Sequence, residues 1–245
     1  MPFRPLTVDA LLLAEGTVHV WCINPRGVDN LRGADGILSA AERQRLSALA
    51  DLERRAQREF AWAARRIILS RYTRTETAEL EFFADNFGRP GLSHPRIENF
   101  FFNLSHTSGF SVLAIASTRV GVDVENIIAV DFGGVETNQF TSDERSCLAK
   151  LKGASRLRAF YRLWTQKEAY VKAVGLGFTL PLQLINFGKA GGFCDSDVDA
   201  GKIFRERSRL MGFSPSARHI AAVAVESLCK VTVSKFDFPR SLDGM

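Results

Sequence analysis

The chain has 245 residues, 46% of them hydrophobic and 24% charged, enough to bury a sizeable core in one large or two smaller domains. Four cysteines, Cys22, Cys147, Cys194 and Cys229, stand far apart with no CxxC pair, which excludes a disulfide-framed secreted fold and fits the reducing cytoplasm. The net charge of +5, from 32 basic against 27 acidic residues, suits phosphate-rich ligands or acidic partners but lacks the dense basic stripe of a nucleic-acid binder.

In chain order, Leu11 to Leu13 is too short an apolar patch for a signal core or a membrane span, so no export or membrane anchoring is expected. Thr17 to Cys22 alternates Val18, Val20 and Cys22 with other residues and predicts a half-buried strand. A long helix is predicted from the capping-box pair Ser39 and Glu42 to about residue 72, with an apolar face through Leu46, Leu49, Ala56, Phe60, Ala63 and Ile67. Gly88-Arg89-Pro90-Gly91 is a turn signal, and the apolar run Phe100 to Leu104 leads into Asn103-Leu-Ser-His-Thr107. Ser111–Ser117 reads as a buried strand and Arg119–Glu125 as a second one, expected to pair with it in a hairpin. The second half offers a helix from Thr141, another from Ser155 to Val174 ended by Gly175, and strands at His219–Val225 and Lys230–Phe236. Gly188 to Ala200 reads as a loop. Ser111-Val-Leu-Ala-Ile-Ala and His219-Ile-Ala-Ala-Val-Ala are faintly alike, which hints at two similar halves meeting near residue 120.

Chemistry concentrates in two stretches. In Val120-Gly-Val-Asp-Val-Glu125 the strand period puts the valines on one face and Gly121, Asp123 and Glu125 on the other, with the two carboxylates roughly 6 to 7 Å apart at Cα. Like charges so placed raise each other's pKa unless a cation sits between them, and oxygen ligands of this kind suit Mg²⁺. A solvated acidic strand face is the plain alternative. In Trp164-Thr-Gln-Lys-Glu-Ala-Tyr-Val-Lys-Ala173, Glu168 and Lys172 lie four apart on one helix face, as a surface ion pair or as a third metal carboxylate beside a phosphate-binding ammonium. Ser105-His106 offers a hydroxyl and an imidazole to a phosphate, or is a surface turn. Adjacent residues cannot form a Ser-His-acid relay, and the four histidines show no zinc-ligand spacing. There is no P-loop and no dinucleotide fingerprint.

Read in order, Gly88-Arg-Pro90, Asn103-Leu-Ser-His-Thr107, Gly121-Val-Asp-Val-Glu125 and Trp164 to Ala173 resemble the 4′-phosphopantetheinyl transferase superfamily, specifically the larger, surfactin-synthetase-activating type with two similar halves in one chain. The resemblance implies an α+β fold of two similar subdomains related by a pseudo-twofold axis, residues 1–120 on the nucleotide side and 121–245 on the metal side. Each is a long helix packed on a small, mostly antiparallel sheet. It implies transfer of the 4′-phosphopantetheine group of coenzyme A to a serine of an apo acyl or peptidyl carrier protein, with release of 3′,5′-ADP; the cysteine usage points to the cytoplasm, and two halves in one chain make a monomer sufficient.

By the same resemblance Asp123, Glu125 and Glu168 hold Mg²⁺, for which Mn²⁺ substitutes, Lys172 contacts the pyrophosphate, and Glu168 is the candidate general base. Ser105 and His106 bind coenzyme A phosphates, with Arg89 near the 3′-phosphate. Arg65 and Arg66 reach the nucleotide, Arg43 matches a further basic position, and Lys167 is placed to steer phosphate. Asn138 stands where many members carry a basic residue, in the region that meets the carrier. A noncatalytic coenzyme A or nucleotide-binding module and a Mg²⁺-dependent pyrophosphate hydrolase are the competing readings.

Overall fold

The computed structural model describes residues 11, 13–25, 36–86, 88–129, 132–175, 177, 180–187, 208–227 and 230–239. The loop expected between Gly188 and Ala200 lies outside them. The order of elements is β1 (Thr17–Ile23), α1 (Ala40–Ser47), α2 (Leu52–Thr73), β2 (Glu81–Ala84), β3 (Pro90–His94), β4 (Phe101–Thr107), β5 (Phe110–Ala116), β6 (Val120–Asn126), α3 (Gly133–Gln139), α4 (Ser142–Ala149), α5 (Gly153–Val174), β7 (Ser208–Ser216), β8 (His219–Glu226) and β9 (Thr232–Asp237). The expected mixed α and β architecture is present, built on small sheets.

Four layers stack as helix, sheet, sheet, helix. The first sheet runs β4-β5-β1-β9 and the second β6-β8-β7, with β2 and β3 as a separate hairpin. Alternation along each strand decides what it touches. Val18 and Val20 of β1 and Val112 and Ala114 of β5 meet Val122 and Val124 of β6 and Val223 of β8 between the sheets. Trp21, Ile23, Leu113 and Ile115 point the other way, onto Ala64, Ile67 and Ile68 of α2. On the far side, Ile220, Ala222 and Ala224 of β8 pack with Ala169 and Ala173 of α5.

Three expectations change. The single helix from Ser39 is two helices, because Asp51 accepts a hydrogen bond from the Arg54 amide and caps a new start after α1. β5 and β6 do not form a hairpin: β5 pairs with β1 and β4, whereas β6 pairs with β8. Their apolar faces meet across the sheets instead. Third, β9 returns to lie parallel to β1, so the C-terminal strand belongs to the first sheet and the chain crosses the boundary expected at residue 120 a second time.

The two helical portions are organised alike. Ser39 and Glu42 form a capping box ahead of α1, and Thr141 and Glu144 form one ahead of α4. Each box glutamate is buried and pairs with the long helix that follows: Glu42 with Arg65 at 2.5 Å and Arg66 at 2.7 Å, Glu144 with Lys167 at 2.8 Å. Those cations then bind the carbonyls of a short helical turn, Thr77 and Leu80 for Arg66, Leu182 and Ile185 for Lys167. A left-handed residue ends each long helix, Arg74 after α2 and Gly175 after α5.

Gly121 sets the approach of β6 to α5. A Cβ there would lie 2.1 Å from the Ala169 carbonyl oxygen and 2.3 Å from the Ala173 nitrogen, both backbone atoms that cannot swing aside. Gly121→Ala should therefore push strand and helix apart and destabilise the protein by about 1–3 kcal/mol or more, as overpacked cores do. Urea unfolding reads this as a lowered midpoint; an unchanged midpoint would contradict so close a contact.

Candidate functional site

The close packing of β6 on α5 brings the acidic strand face against Lys172. The Lys172 Nζ donates to Asp123 Oδ1 at 2.6 Å, to the Val122 carbonyl at 3.2 Å and to Ser105 Oγ at 3.3 Å. Ser105 in turn donates to the same Asp123 oxygen at 2.9 Å and accepts the Val124 amide at 3.3 Å. Asp123 is only 4% exposed, and its Oδ2 is buried without a hydrogen-bond partner. A buried carboxylate oxygen left unmatched is costly. Among the described residues nothing donates to it.

Glu125 and Glu168 complete the acidic field. Burial, then the charge of Asp123, pushes the Glu125 carboxyl from its ordinary 4.5 up to about 7. The same two causes raise Glu168, with Lys172 opposing them. Trp164 of α5 donates its indole N–H to Glu125 Oε1 at 3.3 Å. No three His, Cys, Asp or Glu side chains among the described residues converge into a preformed metal cluster; the three carboxylates share a field, and Lys172 now supplies its positive charge.

Successive β4 side chains diverge. Ser105 turns to Asp123 and Lys172. His106 meets α2, where its Nε2 accepts from Arg58 Nε at 3.2 Å. Burial, then the charges of Arg58 and Lys172, hold this imidazole below its ordinary value, and an Nε2 that accepts from Arg58 carries no proton. Arg58 was invisible in the sequence, since nothing distinguishes it within an arginine-rich helix. The signal that finds it is the fold, which sets α2 across β4.

Arg89 opens β3 from the turn at Gly88 and bridges to the second half, donating to the Ala173 and Val120 carbonyls, each at 3.3 Å. One cleft of about 250 Å³ joins Gly88, Arg89 and Pro90 to Asn103, Glu168 and Lys172. A wider groove of about 540 Å³ continues past Arg89 to Arg96 and Arg119 over Phe83 and Phe101. Thus Arg89, Glu168 and Lys172 line one cleft, Ser105 and Asp123 bond Lys172 behind it beside Glu125, and His106 stands on the other face of β4, within electrostatic range of Lys172 and Asp123.

Arg65, Arg66, Arg43 and Lys167 go elsewhere. Arg65 and Arg66 are buried, 7% and 1% exposed, and closed on Glu42. Arg43 donates to the Leu38 carbonyl. Lys167 is fully buried on Glu144, a third of a turn off the face that carries Glu168 and Lys172. Pairing with a buried carboxylate fixes Arg65, Arg66 and Lys167 in the helix layers, where they hold the helices rather than face the cleft.

Comparison with known proteins points the same way. The profile of the 4′-phosphopantetheinyl transferase superfamily matches residues 119–195. The chain is 32% identical over 176 residues to a phosphopantetheinyl transferase of a Thraustochytrium species, covering 66% of this chain and 60% of that protein. It is 30% identical over 171 residues to the 4′-phosphopantetheinyl transferase HetI of a Nostoc species, covering 68% and 72%. With the 4′-phosphopantetheinyl transferase ffp of Bacillus subtilis it shares 32% identity over 117 residues, 48% of this chain and 51% of that one. The chain therefore spans between about half and three quarters of these relatives' own length.

The raised Glu125 carboxyl has a measurable consequence. Because its folded pKa of about 7 lies above the ordinary 4.5, the folded protein binds the extra proton between those values, and stability falls as pH rises through that window. In the absence of metal, the wild type should lose stability relative to Glu125→Gln from about pH 4.5 to about pH 7. Denaturant titrations of both proteins across that range check it. A constant difference would show that Glu125 is ordinarily ionised.

Proposed function

The chain belongs to the 4′-phosphopantetheinyl transferase superfamily, and from that membership we propose that it transfers the 4′-phosphopantetheine arm of coenzyme A to a serine of an apo acyl or peptidyl carrier protein. The single observation that carries this reading is the seam at Lys172. The ammonium of Lys172 and the carboxylate of Glu168, its proton affinity raised, line the cleft that also holds the Gly-Arg-Pro turn, and behind Lys172 lie the buried Asp123, with one unmatched oxygen, and Glu125, pushed toward neutrality. Such a site is short of cations, and it is arranged to receive them with a phosphate ligand.

The donor set fits a hard divalent ion: oxygen ligands only, with an orphaned buried oxygen at the centre. We assign Asp123, Glu125 and Glu168 to hold Mg²⁺, or Mn²⁺ in its place; when bound it would stabilise charge on the pyrophosphate. The protein's own groups do the rest. Lys172, freed from Asp123, neutralises the departing phosphate oxygens. Ser105 and His106, the latter as a neutral donor or acceptor backed by Arg58, orient the phosphates, and Arg89 lies on the nucleotide side. Arg65 and Arg66 are left out of this reading, since both are closed on Glu42.

In the step itself, the carrier serine oxygen bonds to the β-phosphorus, the bond from that phosphorus to the bridging oxygen breaks, and 3′,5′-ADP leaves. The serine proton passes to the Glu168 carboxylate, whose affinity for protons burial and Asp123 both increase. We read the two halves as related repeats, supported by the matched capping boxes and buried ion pairs. We place the enzyme with the surfactin-synthetase-activating, single-chain type, as a cytoplasmic monomer. No helix among the described residues is long and apolar enough to cross a membrane.

Incubation with coenzyme A, Mg²⁺ and an apo carrier, followed by mass spectrometry, tests the reading. A carrier heavier by one phosphopantetheine is expected. Free phosphopantetheine would mean a hydrolase, and no product a binding module. Glu168→Gln should cut the single-turnover rate roughly 10²-fold, the scale of a lost general base, while coenzyme A binding measured by calorimetry falls less. Equal losses in both would assign Glu168 to ligand binding alone.

A further inference from the structure

β4 and β6 are both edge strands, β4 of the first sheet and β6 of the second. Exposed edges leave backbone N–H groups without partners. Here the edge of β6 is closed by side chains. Asn103 Oδ1 accepts the Val122 amide at 2.9 Å, Ser105 Oγ the Val124 amide at 3.3 Å and Thr107 Oγ1 the Asn126 amide at 3.3 Å. The strand period of two explains why every second β4 residue does this and why each one meets every second β6 amide. Three side-chain acceptors in register thus replace a missing strand.

The amides they hold flank the carboxylates: Val122 and Val124 bracket Asp123, and Val124 and Asn126 bracket Glu125. We propose that Asn103 and Thr107 are positioning residues, whose side chains fix the β6 backbone so that Asp123 and Glu125 present their oxygens at a set distance from Lys172. Thr107 lies outside the cleft lining, whereas Asn103 also lines the cleft with Glu168 and Lys172, so Thr107 is the cleaner probe of the bridge. A backbone–backbone ladder would bring the two sheets to the fixed spacing of paired strands. The longer side-chain bridge leaves room for Ser105 to reach Asp123 and for Lys172 to enter between the edges. This rests on the proposed cation site for its effect on ligand binding, whereas the bridge itself is testable without it.

The experiment compares the wild type with Thr107→Val, Thr107→Ser and Asn103→Leu by amide hydrogen exchange over residues 120–126 and by Mn²⁺ titration. Valine keeps the shape of threonine and removes the acceptor; serine keeps the acceptor and removes the methyl. Thr107→Val and Asn103→Leu should speed exchange in this segment about 10-fold and weaken Mn²⁺ binding about 10-fold, and Thr107→Ser should match the wild type in both. Wild-type exchange in Thr107→Val, or a Thr107→Ser variant as impaired as Thr107→Val, would overturn the proposal. So would faster exchange with undiminished Mn²⁺ affinity, since the bridge would then hold the strand without placing its carboxylates. If the wild type binds no Mn²⁺, the cation reading fails, and the exchange arm still decides whether the bridge exists.

Discussion

The contact between Lys172 and Asp123 is the constraint on which the rest of the site depends. Lys172 comes from α5, Asp123 from β6 and Ser105 from β4, so a single ammonium ties one helix to an edge strand of each sheet. Its reach is set by Gly121, which lets β6 lie against the α5 backbone. Asp123 is almost wholly buried, and an isolated carboxylate there would be expensive. The Lys172 side chain, 29% accessible, offsets part of that cost while leaving one oxygen unmatched. Pairs of this kind add little net stability. What they supply here is charge held in readiness at the mouth of the cleft.

A second set of charges shows what purely structural pairing looks like in the same protein. The Glu42–Arg66 and Glu144–Lys167 pairs are closed on the carboxylate side by capping-box amides and on the cation side by helical-turn carbonyls, and among the described residues Arg65 closes on Glu42 alone. Nothing in those pairs faces the cleft. Lys167 and Lys172 belong to one helix, and Arg58 and Arg66 to another, yet each pair divides between scaffold and site. Burial with a fully matched carboxylate marks the first kind. Partial exposure beside a carboxylate with spare oxygens marks the second.

The sequence made the acidic strand, both long helices and the order of motifs legible, because strand alternation and helical periodicity are local signals, whereas the Ser39 capping box marked α1 and not the start of α2. It also placed Asp123 and Gly121 on one face, as found. What it misjudged were partners. Alternation in Ser111–Ser117 and Val120–Glu125 tells which residues are buried but not whether the two strands pair or face each other, and they face each other. β7 was not foreseen, since Ser208–Ser216 alternates weakly, and the parallel return of β9 to β1 is a long-range pairing with no local mark. Arg65 and Arg66 looked like nucleotide ligands for the same reason: the partner that claims them, Glu42, lies in another helix. The surface-turn alternative for Ser105 and His106 does not hold, since both stand within β4 with their side chains on opposite faces.

If Lys172 occupies Asp123 in place of a divalent cation, removing its charge should make that cation bind more tightly before any coenzyme A arrives. A Mn²⁺ titration of Lys172→Met against the wild type, without coenzyme A, measures this directly. An ammonium 2.6 Å from the carboxylate opposes a second cation by Coulomb repulsion of several kcal/mol even in a screened, partly wet site. The variant should therefore bind Mn²⁺ about 10-fold more tightly or better. Equal or weaker binding would mean that Lys172 does not stand in for the cation, and the account of this seam as a cation-poised site would be contradicted.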